Sequence, residues 1–278
     1  MTARALLATL SLALVAPVPA GAADKPDPLA VGETFTVESK GLKETRRVNV
    51  YLPPAYNAAP DTARYPVLYL IDGGIAEDFL HVAGLVQVSS VNGTMRPFIL
   101  VGIENTKRRR DVTGPTDNPD DKKVSKQVGG SAAFRDFIRD ELMPQVKDRY
   151  RTTKESAVVG ESLAGLFVVE TFLLEPELFD TYIAIDPSLW WNDKKLVAGA
   201  GEQLAKRPKL EKRLYLATSD EKGISEPTTA LADVLREKAP PGVKWHHEKM
   251  PEEGHGTIFH PAALKAFRSE FKPPAVKK

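Results

Sequence analysis

The chain has 278 residues, 42% of them hydrophobic and 27% charged, which is enough to bury one sizeable core. It contains no cysteine, and this excludes disulfides, thiolate metal sites, a cysteine nucleophile and a lipidated cysteine. A formal net charge of +1 offers no electrostatic basis for binding nucleic acid or a membrane surface.

The first residues read as an export signal. Arg4 gives a basic start, Ala5 to Val15 is a mostly apolar run, and Ala20-Gly21-Ala22-Ala23 offers a small-residue cleavage site. This predicts a signal peptide over 1–23 and one domain over 24–278. The mature chain is then expected in the periplasm or outside the cell, with no membrane insertion after cleavage.

Glu33 to Ser39 and Thr45 to Leu52 alternate in polarity; Val48, Val50 and Leu52 share one face, as in a half-buried antiparallel strand. Tyr65 to Ile71 and Pro97 to Ile103 are continuous apolar runs, suited to parallel strands covered on both faces, with a helix over Glu77 to Val88 between them. Asp72-Gly73-Gly74 ends the first run, where backbone must come close to a ligand. The long irregular stretch from Asn105 to Gly130 holds Arg108-Arg109-Arg110-Asp111; Arg110 is a candidate contact for an anionic part of a substrate, against the blander reading of a solvated charge run. Ser131 to Tyr150 is an amphipathic helix, with Phe134, Phe137, Ile138, Leu142 and Val146 inward and Pro144 marking a kink or an end.

Further on, Tyr182 to Ile185 is a buried strand leading into Asp186-Pro187-Ser188-Leu189-Trp190-Trp191, and the two tryptophans are candidates to wall an apolar pocket. A strand at Leu214 to Ala217, a helix over Glu226 to Lys238, a last strand at Val243 to Glu248 and a final helix over Pro261 to Phe271 complete the pattern. Strands alternating with helices predict an α/β fold, a mostly parallel central sheet with helices on both faces.

The chemistry centres on Ala157-Val158-Val159-Gly160-Glu161-Ser162-Leu163-Ala164-Gly165-Leu166. Small residues two places either side of Ser162 fit a strained strand-to-helix turn that presents a nucleophilic hydroxyl. The N–H of Leu163, at a helix N-terminus, is then one oxyanion donor, and that of Gly74 or Ile75 the second, with Gly74 preferred. A serine hydroxyl needs a base, itself oriented by a third group. Of five histidines only His255 and His260 follow the final strand; His255 lies between glycines and is assigned as the base, while His260 packs or caps the last helix. The acid is expected after Leu214 to Ala217, where Asp220, Glu221 and Glu226 lie, with Asp186 one strand earlier; Glu221 is preferred. Glu161 is expected to turn away from the base.

Gly160-Glu161-Ser162-Leu163-Ala164-Gly165-Leu166-Phe167, Pro176-Glu177-Leu178-Phe179-Asp180 and Pro187-Ser188-Leu189-Trp190-Trp191 together resemble the esterase D/putative esterase group of α/β-hydrolases, and within it the ferric-siderophore esterases of the bacillibactin and salmochelin type. Leu70-Ile71-Asp72-Gly73, Arg110-Asp111 and Phe134 to Tyr150 fit the same pattern. The resemblance implies an α/β-hydrolase fold and cofactor-free, metal-free hydrolysis of a small-molecule carboxylic ester by a serine nucleophile. It also supports Glu221, since Ser219-Asp220-Glu221-Lys222 is similar to the acid-bearing segment of some members. Two positions depart from it: Ala164 stands where glycine is usual, and Asp186 where serine is common. A siderophore trilactone, or a short-acyl or aryl ester, is the expected substrate. An acyltransferase and a non-catalytic binding domain are the alternatives.

Overall fold

The computed structural model describes residues 27–274. The expected signal peptide, 1–23, lies outside the described residues. From Val31 onward the chain forms one compact unit.

Among the described residues eight strands form one sheet: β1 (Glu33–Ser39), β2 (Glu44–Tyr51), β3 (Tyr65–Ile71), β4 (Ile99–Ile103), β5 (Thr152–Glu161), β6 (Thr181–Ile185), β7 (Arg213–Thr218) and β8 (Lys244–Lys249). Their order is β1-β2-β4-β3-β5-β6-β7-β8. β1–β2 and β2–β4 pair antiparallel, and every later neighbour is parallel. β3, β4 and β6 are buried at every residue, as their unbroken apolar runs require. The helices are α1 (Phe79–Val91), α2 (Arg108–Asp111), α3 (Pro119–Val124), α4 (Ser131–Phe137), α5 (Met143–Arg149), α6 (Leu163–Leu174), α7 (Lys195–Ala205), α8 (Lys222–Lys238) and α9 (Phe259–Glu270). α1 and α9 cover one face of the sheet, while α4 to α8 cover the other.

The chain leaves β3 for β4 on one side and then returns to place β5 on the other. That reversal makes a crevice at the carboxyl ends of β3 and β5, where ligands bind in open α/β sheets. Gly73 and Ser162 stand on its two sides. Gly73 must lack a side chain, since a Cβ there would lie 2.2 Å from the Cα of Gly102 on β4. β2 differs from the half-buried strand expected: Asn49 and Tyr51 are buried as well as Val48 and Val50. The polar Asn49 is accommodated because its side chain donates to the carbonyl of Gly73 at 2.9 Å, which fixes the crevice loop.

The helix expected over Ser131 to Tyr150 is broken by a π turn, Ile138–Leu142. Pro144 has no N–H for the Asp140 carbonyl, so the backbone widens by one residue before it. Pro144 itself sits in the first turn of α5, where a missing donor costs nothing.

One ion cluster fastens the irregular stretch to the sheet. Arg46 of β2 has no solvent exposure and donates to Asp111 (2.6 Å), Thr106 (2.6 Å) and Glu44 (2.9 Å), with its guanidinium 5.1 Å from the Phe134 ring centre. Burial alone would raise the Glu44 carboxyl, but hydrogen bonds from Arg110, Thr106 and Arg46 hold it at about 2. Removing Asp111 leaves a fully buried guanidinium without its closest counter-charge. Asp111→Ala is therefore expected to cost about 3–5 kcal/mol of stability, read as a lowered urea midpoint at unchanged slope. A loss below about 1 kcal/mol would show that water reaches Arg46.

Candidate active site

Ser162 sits between β5 and α6 with φ 59° and ψ −120°, a conformation costly for a residue with a side chain. Its neighbours make the turn possible. A Cβ on Gly160 would lie 2.8 Å from the Cβ of Ala164, so an alanine after the serine is tolerated only because glycine precedes it. The turn is held from both ends: the Ser162 N–H donates to the Ile185 carbonyl (3.0 Å), and its carbonyl accepts from Leu166 and Ser188 (both 2.9 Å).

The Ser162 hydroxyl lies 3.1 Å from Nε2 of His255, whose Nδ1 lies 2.7 Å from Oδ2 of Asp186. A carboxylate only accepts, so Nδ1 carries the hydrogen and Nε2 is left to accept from the serine. Asp186 follows β6 with φ 44° and has no solvent exposure. It accepts two further hydrogen bonds, from the Ser219 N–H (2.8 Å) and the Ser219 hydroxyl (2.7 Å). The hydrogen bond to Asp186 raises the affinity of His255 for a proton. Burial opposes this, and the charges of Glu161, Asp186 and Glu221 add to it.

Glu221, expected as the acid, is not the partner of His255; Asp186 is. The chain turns outward straight after β7, and Glu221 stands exposed at the head of α8, as do Asp220 and Glu226 beside it or one turn on. Ser219 is the residue of that segment which faces inward, and it serves Asp186. His260 packs against His81 with ring centres 5.7 Å apart, away from the serine–histidine pair.

The oxyanion candidates divide. Leu163 opens α6, so its N–H has no acceptor within the helix. The Gly74 N–H instead donates to Glu77 at 2.7 Å, because a carboxylate three residues on closes the turn. The next amide, Ile75, makes no hydrogen bond among the described residues. The charge of Glu161 acts on His255, and burial, with Asp78 and Asp186 nearby, pushes its carboxyl up to about 7 against the pull of His255 and Arg108.

Arg110 is not available to a substrate. Its Nε bonds Asp111 (2.6 Å) and its two terminal nitrogens bond Glu44 (3.1 and 2.6 Å). Arg108 is the arginine at the crevice, forked onto Asp72 at 2.6–2.9 Å. Spacing alone does not separate the two, since residues two apart on a helix face opposite ways and only the positions of Asp72 and Glu44 decide between them. Trp191 is buried, with its indole N–H held by the Gly114 carbonyl at 2.9 Å, and Trp190 packs partly buried on the same core. Trp191 lines a recess along α6 whose lining does not include Ser162 or His255. Among the described residues no His, Cys, Asp or Glu cluster could hold a metal ion, and no helix is long and apolar enough to cross a membrane.

This architecture is the α/β-hydrolase fold, with a serine, a histidine and a buried acid converging at its switch-point crevice. The chain belongs to the putative esterase family, whose model matches residues 39–249. It is 32% identical over 164 residues to a ferri-bacillibactin esterase of Bacillus subtilis, covering 54% of this chain and 56% of that one. It is 38% identical over 144 residues to a siderophore triacetylfusarinine C esterase of Aspergillus fumigatus, covering 46% and 45%. The chain thus spans about half the length of the curated relatives it matches. An IroE-like serine hydrolase from Shewanella oneidensis superposes with a TM-score of 0.77 at 31% identity, over 87% of this chain and 80% of that one.

Two outcomes are expected of the site. Asp186→Asn lowers kcat about 10²–10⁴-fold, whereas Glu221→Gln changes it less than about fivefold. Ester hydrolysis rises with pH as His255 loses its proton, and that limb lies above the ordinary histidine value. Glu161→Gln removes a negative charge that favours the imidazolium, so the limb moves to lower pH; the pH profile of kcat/KM measures it.

Proposed function

We propose that this protein is a serine esterase that splits a small-molecule carboxylic ester through an acyl-enzyme. The observation that carries the reading is the unbroken chain from Ser162 through His255 to the buried Asp186, at 3.1 and 2.7 Å. Ser162 attacks the ester carbonyl carbon as its proton passes to Nε2 of His255. Asp186, unable to reach water, stabilises the imidazolium and holds the ring's tautomer. The N–H groups of Leu163 and Ile75 take the oxyanion; Ile75 replaces Gly74 because the Gly74 amide is already committed to Glu77. Collapse of the tetrahedral intermediate breaks the bond to the leaving alkoxide, which receives the His255 proton. A water activated by the same histidine then releases the acid.

A siderophore-type ester is the substrate class supported by the names of the curated relatives, and the basic-apolar-small pattern of residues 1–23 supports export. The test is hydrolysis of p-nitrophenyl acetate and of a catecholate trilactone by the mature chain beside Ser162→Ala. The wild type is expected to turn over both, and the variant to lose at least about 10³-fold in kcat. Inertness of the wild type toward every ester, with no labelling of Ser162 by a fluorophosphonate, would leave the non-catalytic binding domain standing.

A further inference from the structure

α6 is apolar along its length except for Glu170 and Thr171, and Glu170 is buried, only 7% exposed. Its Oε2 accepts from Arg135 at 3.2 Å, but that arginine also serves Glu175 at 2.6 Å. Oε1 accepts no hydrogen bond among the described residues. A half-paired carboxylate inside an apolar helix is costly unless something meets it.

What it meets is space. Glu170 lies between Leu166 and Leu174 on one stripe of α6, and the three floor a recess of about 220 Å³ walled by Pro115 and Trp191. Oε1 sits against Gly114 at the wall of the recess, and only glycine fits there, since a Cβ would stand 2.2 Å from that oxygen. The far rim is stiff: Asn192, Asp193 and Lys194 run through three consecutive left-handed conformations (φ 49°, 53°, 61°), pinned where the Asn192 side chain donates to the Pro115 carbonyl and accepts the Asp117 N–H. Lys195, on the same rim, points its ammonium at Asp117 and not at Glu170, which leaves Arg135 as the one cation bonded to that carboxylate among the described residues.

We propose that this recess is a second binding site, taking a small organic ammonium whose charged head pairs with Oε1 of Glu170 and whose apolar body, about the size of one aromatic ring, packs against Trp191, Leu166 and Leu174. It is separate from the Ser162 crevice and does not depend on the esterase reading. A preformed apolar hollow with one convergent charged group is the ordinary design of a small-ligand site.

The probe is 2-phenylethylammonium, titrated into the full chain while the indole N–H resonance of Trp191 is followed by NMR. Saturable binding below about 5 mM is expected, at least about tenfold tighter than for neutral 2-phenylethanol. Gly199→Leu extends a side chain into the recess from α7, where an added Cβ meets nothing within 4 Å, and an unchanged urea midpoint checks that the variant folds. It should abolish binding while p-nitrophenyl acetate hydrolysis stays within about twofold. Glu170→Gln should bind amine and alcohol alike. The proposal is overturned if the ammonium does not saturate, if the alcohol binds as tightly, if Gly199→Leu changes nothing, or if the ammonium competes with the ester at Ser162.

Discussion

A carboxylate with no route to water must have its charge met by hydrogen bonds, and Asp186 is where this molecule meets that demand. Three donors converge on it, two from Ser219 at the end of β7 and one from His255 on the loop after β8. The residue that orients the base therefore also ties three strand ends together. The left-handed backbone at Asp186 and the strained turn at Ser162 sit on adjacent strands, and the Ser162 N–H donates to the residue just before Asp186. Each costly conformation is held by the other's strand. This mutual support is how a fold keeps strain at a reactive centre without losing stability there.

Around that core the crevice is rich in charge. Arg108 is occupied by Asp72, Glu77 by the Gly74 amide, and the side chain of Glu161, next to Ser162 in the chain, accepts no hydrogen bond among the described residues. Burial lifts the Glu161 carboxyl, and when that carboxyl is ionised its charge favours the protonated form of His255. The base is thus set by two carboxylates of different kinds. One is hydrogen-bonded and fully enclosed, while the other is nearby and titratable.

The parts of this structure that follow from local pattern were legible in the sequence. Continuous apolar runs marked β3, β4 and β6, the small residues around Ser162 marked the turn, and a histidine between glycines after the last strand marked the ring that meets Ser162. The failures share a cause: each depended on which of several like residues meets a partner distant in sequence. Sequence position ranks Glu221 ahead of Asp186, because the position of an acid after a particular strand says nothing of burial. A carboxylate placed directly after an all-apolar strand and before proline has little access to solvent, and that signal favoured Asp186. Arg110 was preferred to Arg108 for want of knowing where Glu44 and Asp72 lie. Asn49 broke the alternation of β2 because a loop carbonyl some twenty residues away needed a donor.

The switch-point topology also bears on how the molecule comes into being. β3 pairs with β5 across the whole of α1 to α5, and Ser162 meets His255 over a separation of 93 residues. Contacts so far apart are entropically expensive to close and form late, after the local β–α units have condensed. No fragment short of the final loop holds Ser162, His255 and Asp186 together, so their hydrogen-bonded arrangement is complete only when the last part of the chain finds its place. A chain still being synthesised lacks that arrangement, and a nick that frees the segment beyond β8 takes His255 out of it.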